Sequence, residues 1–96
     1  MQLFFSPLAE QDLAAIADYI ATDNPSKALD FIRQLRERCL MLELQPESGI
    51  ARAELGVAIR SLLFGNYLIF YTLQPNQVRI ERIIHGARDY RRLLRP

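Results

Sequence analysis

Hydrophobic and polar positions change their period several times along the 96 residues, and each change marks an element. Gln2 to Phe5 is a short apolar segment that reads as a first strand. Ala9, Leu13, Ile16, Ala17 and Ile20 then recur at helical spacing, with Glu10, Gln11, Asp12 and Asp18 turned outward. Ser6-Pro7 is a good start for this helix, because serine caps free amides and proline suits the first helical position. The helix should end near Ala21 or Thr22, where Asp23-Asn24-Pro25 supplies turn and capping chemistry. Asn24 caps a second helix, in which Ala28, Ile32, Leu35, Cys39 and Leu42 form an apolar stripe with Phe31 beside it. Arg33, Arg36, Glu37 and Glu43 take the other side, and Pro46 marks the stop. Two amphipathic helices joined by so few residues form an antiparallel hairpin whose apolar face must cover a sheet.

The second half changes to strand character. Glu47 to Gly56 has no strong period and reads as a loop, with room for one helical turn around Arg52 to Leu55. Val57 to Phe64 is a strand, and Gly65-Asn66 is a tight turn into the next. Tyr67 to Tyr71 is apolar on both faces, as a strand in the middle of a sheet should be. Pro75-Asn76 turns the chain into Val78 to His85, antiparallel to the central strand. That last strand breaks phase: Val78 and Ile80 share a face, Arg82 follows on it, and Ile83-Ile84 are adjacent. Either a bulge resets the register near Glu81-Arg82, or Arg82 points from the apolar face into a groove. Ala87 to Leu94 reads as a final helical turn or two. The expectation is an α+β fold in the order β-α-α-β-β-β, with a helix hairpin on a small antiparallel sheet and residues 1–96 as one domain.

Composition narrows the classes. No run approaches the roughly 18 apolar residues of a membrane span, and the N-terminus reaches acids too soon for a signal peptide, so the expected setting is cytoplasmic, with no membrane partner. One cysteine excludes an internal disulfide, and the single histidine has no neighbour with which to share a metal. Neither a metal nor a cofactor is expected. Cys39 falls on an apolar helix face and reads as a buried structural thiol.

A net charge of +1 hides an asymmetry. Residues 1–30 carry five acids against Lys27, whereas residues 77–96 carry six arginines (Arg79, Arg82, Arg88, Arg91, Arg92, Arg95) against Glu81 and Asp89. Arginine suits bidentate recognition of carboxylate or phosphate. The C-terminal end therefore suits an anionic partner, although a solvated basic face accounts for the charge equally well.

No phosphate loop, nucleophile elbow or zinc-protease motif is present. The remaining constellation is Arg60, Arg82, His85, Arg88 and Tyr90. Arginines that hold a scissile phosphate, with His85 or Tyr90 as acid or base, would make a metal-independent ribonuclease. The plainer account is a structural Arg88-Asp89 turn beside a hydrogen-bonded His85. Tyr67, Phe70 and Tyr71, and the Phe4-Phe5 pair, read as core rather than base-stacking platforms.

Taken together, Ile16 to Ile20 (IADYI), Asn66 to Tyr71 (NYLIFY) and Ile83 to Asp89 (IIHGARD) resemble the RelE/ParE superfamily of bacterial toxins. The likeness covers essentially the full length and is closest to the ParE branch of type II toxin–antitoxin modules. It implies the helix hairpin and sheet derived above. It further implies a plasmid-stabilisation type of module, in which a cognate ParD-like antitoxin binds the toxin as a hetero-oligomer. ParE-like members inhibit DNA gyrase; RelE-like members cut mRNA on the ribosome. This chain departs from the nuclease pattern, with Leu68 where RelE has a strand arginine and Leu94 near the position of its catalytic tyrosine. Only Arg88 matches a nuclease arginine.

The resemblance thus implies a gyrase inhibitor that is not an enzyme and has no catalytic residues or sequence-specific nucleic-acid contacts. The alternatives are a ribosome-dependent ribonuclease using Arg60, Arg82, His85 and Arg88, or a non-toxic member that only binds its antitoxin. The expected target-binding residues are Arg88, Arg91, Arg92 and Arg95. The antitoxin is expected on the open face of the helix hairpin and the sheet edge, through Leu13, Ile16, Ile20, Phe31, Leu35, Arg60 and Arg82.

Overall fold

A computed structural model describes residues 1–56 and 58–94. Strand β1 (Gln2–Phe5) leads into helix α1 (Pro7–Ala21) and helix α2 (Pro25–Leu40), followed by a 3-10 turn at Met41–Glu43. After the loop come β2 (Ile50–Ala51), a second 3-10 turn (Ala53–Leu55), β3 (Ile59–Phe64), β4 (Tyr67–Gln74), β5 (Gln77–His85) and one turn of helix α3 (Tyr90–Leu93). The helix starts follow the capping chemistry of the sequence. The Ser6 side chain accepts from the Ala9 N–H, the Asn24 side chain accepts from the Lys27 N–H, and a proline follows each cap.

The α+β architecture is the expected one. The five strands run in the order β1-β5-β4-β3-β2, so the apolar strand β4 is central. Two features refine the sheet. It is mixed rather than wholly antiparallel, because β1 pairs with β5 in parallel, from Gln2 opposite Gln77 to Phe5 opposite Ile80. The hairpin argument never governed β1, since both helices and three strands intervene before its partner. A two-residue strand, β2, also lies within the segment expected to be loop. The hairpin turns are as the sequence suggested: Gly65 takes φ 57 and Asn76 takes φ 64, the left-handed region that glycine and asparagine tolerate best.

The core lies between the helix hairpin and one face of the sheet. Leu13, Ile16, Leu35, Cys39 and Leu42 meet Ile69, Tyr71, Val78, Ile80 and Ile83 there. The phase break in β5 is a bulge, with Phe70 opposite Arg82 but Tyr71 opposite Ile80, so that Glu81 is the extra residue. The bulge keeps Ile80 and Ile83 on the same apolar face although three positions separate them. It also turns Arg82 to the face shared by Phe70, opposite the core between sheet and helix hairpin. Of the two readings of the phase break, the bulge holds and the arginine emerging from the apolar face does not. Phe70 is fully buried on that far face, where the Tyr90 ring lies 5.4 Å from it. Phe4, expected in the core, is instead partly exposed under the Arg79 guanidinium, because it sits on an edge strand.

Candidate functional site

Strand β1 stops pairing at Ile80, and the continuing edge of β5 must find other partners. Ser6 provides the first two: its N–H donates to the Ile80 carbonyl and its hydroxyl to the Glu81 carbonyl. Asp12, one turn along α1, provides the next. Its carboxylate accepts the Ile83 N–H at 2.9 Å and a bidentate pair from the Arg82 Nε and Nη2 at 2.8 and 3.0 Å. Both side chains are largely covered, at 13% and 17% exposure. Hydrogen bonding to Asp12 raises the Arg82 pKa above the ordinary guanidinium value, outweighing the desolvation that lowers it. Arg82 is thus a permanent cation held as a clasp between helix and sheet edge. Sequence reading placed Asp12 on the solvent face. The signal in hindsight is its position beside Leu13, at the margin of the apolar stripe.

Arg60 is held elsewhere. Its Nη1 donates to the Gly49 carbonyl at 2.8 Å, at a corner organised by Tyr71. The Tyr71 hydroxyl donates to the Pro46 carbonyl and accepts the Gly49 N–H. A Cβ on residue 49 would lie 2.6 Å from that hydroxyl and 2.8 Å from the Ser61 carbonyl, which is why the position is glycine. Arg60 pairs with Tyr71 and Arg82 with Phe70. Successive residues of β4 point to opposite faces, so the two arginines lie on opposite sides of the sheet. The ribonuclease constellation is therefore divided: His85, opposite Tyr67, is on the helix face with Arg60, and Arg82 is behind it.

His85 and Arg88 do come together. Both line a cavity of about 620 Å³ between α1 and the outer end of the β4–β5 hairpin. The His85 Nδ1 accepts the Ala87 N–H at 3.1 Å, and its ring meets Tyr67 edge-on at 5.3 Å. Tyr90 faces the other way and anchors α3 through Arg52. From one guanidinium, Nε donates to Glu54 at 2.9 Å, Nη1 to Ser61 at 3.0 Å and Nη2 to the Tyr90 hydroxyl at 3.1 Å. The same group lies 5.3 Å from the Tyr90 ring centroid. The bond to Tyr90 raises the Arg52 pKa, and the bond from Arg52 lowers that of Glu54. No local spacing in the sequence announces a contact between residues 38 positions apart. Of the basic tail, Arg88, Arg91 and Arg92 are exposed, and Arg95 lies outside the described residues.

The fold itself covers or engages the residues expected to meet an antitoxin. Leu13, Ile16 and Leu35 are core, and Ile20 and Phe31 pack partly buried against it, because the apolar stripes face the sheet. Arg60 and Arg82 are occupied as described. The outer face of the hairpin instead presents a groove of about 660 Å³ between α1 and α2, lined chiefly by Ala17, Ala21, Leu29, Ile32, Arg36 and Leu40.

Among families, the model described as ParE toxin of type II toxin-antitoxin system, parDE, matches residues 3–90. The chain belongs to the ParE toxin family. A solved structure with a similar fold is the chromosomal ParDE TA system from P. aeruginosa. It is 25% identical with a TM-score of 0.77, covering 88% of this chain and 95% of that one. No match was found among curated proteins. Among the described residues, no helix is long and apolar enough to cross a membrane.

Proposed function

We propose that this chain is the toxin of a type II module, that it acts by docking on DNA gyrase rather than by chemistry of its own, and that a ParD-like antitoxin neutralises it. Family membership supports the module. The observation that carries the mode of action is the clasp of Arg82 by Asp12. A ribonuclease must aim several cations at one phosphate and protonate a leaving oxygen. Here one candidate arginine is bonded through Nε and Nη2 to the Asp12 carboxylate, and a second sits across the sheet and donates to backbone carbonyls. What stays free is exposed positive charge on Arg88, Arg91 and Arg92, with Arg95 beside them in sequence, which suits contact with a large anionic or mixed surface. The antitoxin belongs in the α1–α2 groove as an amphipathic helix, a mode that needs an apolar furrow between two helices.

The test pairs two assays on the purified protein: gyrase supercoiling of plasmid DNA, and cleavage of mRNA on programmed ribosomes. Inhibited supercoiling or trapped cleaved DNA, with intact mRNA, is the expected result. Cut mRNA with normal supercoiling would overturn the reading and return His85 and Arg88 to a catalytic role.

A further inference from the structure

The cavity beside His85 shares Arg88 with the proposed target contact, but its other polar groups are used by neither the gyrase reading nor the antitoxin groove. Its walls are Asp12, Ile16 and Tyr19 of α1 on one side and Asn66, Tyr67, Ile83, His85 and Arg88 on the other. All its polar side chains except Asp12 can donate a hydrogen bond. Because the His85 Nδ1 accepts the Ala87 N–H, the neutral imidazole carries its proton on Nε2. The Arg88 guanidinium, the Asn66 side-chain amide and the hydroxyls of Tyr19 and Tyr67 make no hydrogen bond among the described residues. A backbone donor joins them. Ile83 turns its N–H to the outer edge of β5, toward Asp12, and strand alternation turns the His85 N–H to that same edge. The one acid in the wall, Asp12, is already engaged by Arg82 and Ile83.

We infer that this cavity is a binding site for a single carboxylate, presented by an acidic side chain of a partner protein. A guanidinium and an imidazole N–H on the wall of one cavity favour an anion, the Asn66 amide and the two tyrosine hydroxyls can donate to it as well, and the guanidinium fork matches a carboxylate in two parallel bonds. The count of charges argues for a carboxylate over a phosphate. Among the described residues Arg88 is the only permanent cation in the wall and makes no ion pair, so a monoanion is neutralised and a dianion is not. The Asp12 carboxylate would also repel the further phosphates that a nucleic acid brings. Tyr19, 76% exposed at the rim, provides a flat apolar surface for the stem of the bound side chain. The inference stands apart from the choice of gyrase as target.

The test is an NMR titration of the isotope-labelled protein with a capped five-residue peptide bearing one central glutamate. The same peptide with glutamine and inorganic phosphate serve as competitors for the assignment. Saturable shifts at the Asn66 side-chain amide, the His85 ring and the Gly86 and Ala87 amides are expected with the glutamate peptide only. Arg88→Gln, an exposed position, should weaken them by about tenfold or more, the scale of a lost charge-assisted pair. Lys27→Gln should not change them. Phosphate binding there more tightly than the peptide would overturn the carboxylate assignment. Equal shifts from the glutamine peptide, or weakening by Lys27→Gln as large as that by Arg88→Gln, would overturn the site. A chain that fails to inhibit gyrase but passes this titration keeps the site and loses the target.

Discussion

At the scale of single residues, the strongest constraint is the pairing of Asp12 with Arg82. An exposed ion pair is worth little, but this one is largely covered and also satisfies the Ile83 N–H. Asp12→Ala would strand a part-buried cation and an edge amide together. The expected loss is about 2 to 4 kcal/mol, between the values for surface and buried pairs. Adding Arg82→Met to that variant should recover part of the loss, because no stranded charge remains. Urea denaturation of both variants and of Arg82→Met alone checks this, and strictly additive costs would mean the pair is not coupled. Cys39 gives a second test. Burial pushes its thiol from 9.0 up to about 12. The folded-state pKa lies above the unfolded one, so the folded chain holds this proton longer. Its contribution to stability is complete below about pH 9 and is lost as pH rises toward 12. The denaturation midpoint should therefore fall across that window, less steeply in Cys39→Ala, and alkylation of the native protein at pH 8 should be negligible. Rapid alkylation of the folded chain would contradict the burial.

At the scale of elements, α3 is a single turn and cannot hold itself as a helix. Its geometry depends on Tyr90 packed on Phe70 and on Arg52, which ties Tyr90 to Ser61 and Glu54. Arg52→Met should raise hydrogen exchange across Tyr90–Leu93 while the β4 amides stay protected, and should cost about 1 to 2 kcal/mol overall. Unchanged exchange in α3 would show that Phe70 alone anchors it. These elements also show what the sequence could reveal. The helix caps, the two turns and the buried central strand follow local rules, and all were legible. The bulge was legible only as one of two alternatives, because a phase break at Glu81-Arg82 does not say which side the arginine takes. Strand β2, with only two residues, has no period to detect, and the parallel pairing of β1 depends on a partner more than seventy positions away. Asp12 and Arg52 escaped for the same reason. Their partners lie 70 and 38 positions away, which no local pattern specifies, and only the place of Asp12 at the margin of the apolar stripe hinted at its burial. Leu13, Ile16 and Leu35, expected at a partner surface, are buried because a regular apolar stripe marks the face a helix buries against its own sheet. The surface left open to partners is the weaker stripe beside it.

At the scale of the whole molecule, that weaker stripe is a furrow across the outside of the hairpin, while α3 packs on the opposite face of the sheet. An antitoxin helix lying in the furrow need not cover the basic tail, so binding and target contact can be separated by mutation. Leu29 is the position to use. It is 76% exposed, lies in the furrow and makes no part of the core, so Leu29→Glu should change stability by no more than about 0.5 kcal/mol. The same change puts a charge into an apolar helix–helix contact, where it must be desolvated without a partner. Calorimetric titration with the cognate antitoxin should therefore show affinity reduced by at least about 1 to 3 kcal/mol, while gyrase inhibition by the free toxin persists. Leu40→Glu, at the far end of the furrow, should act in the same direction. If both variants bind the antitoxin as the parent does, the furrow is not its docking face, and the edge of β5 becomes the surface to test. If both lose gyrase inhibition while remaining folded, target and antitoxin compete for the hairpin, and the separation of the two faces is refuted.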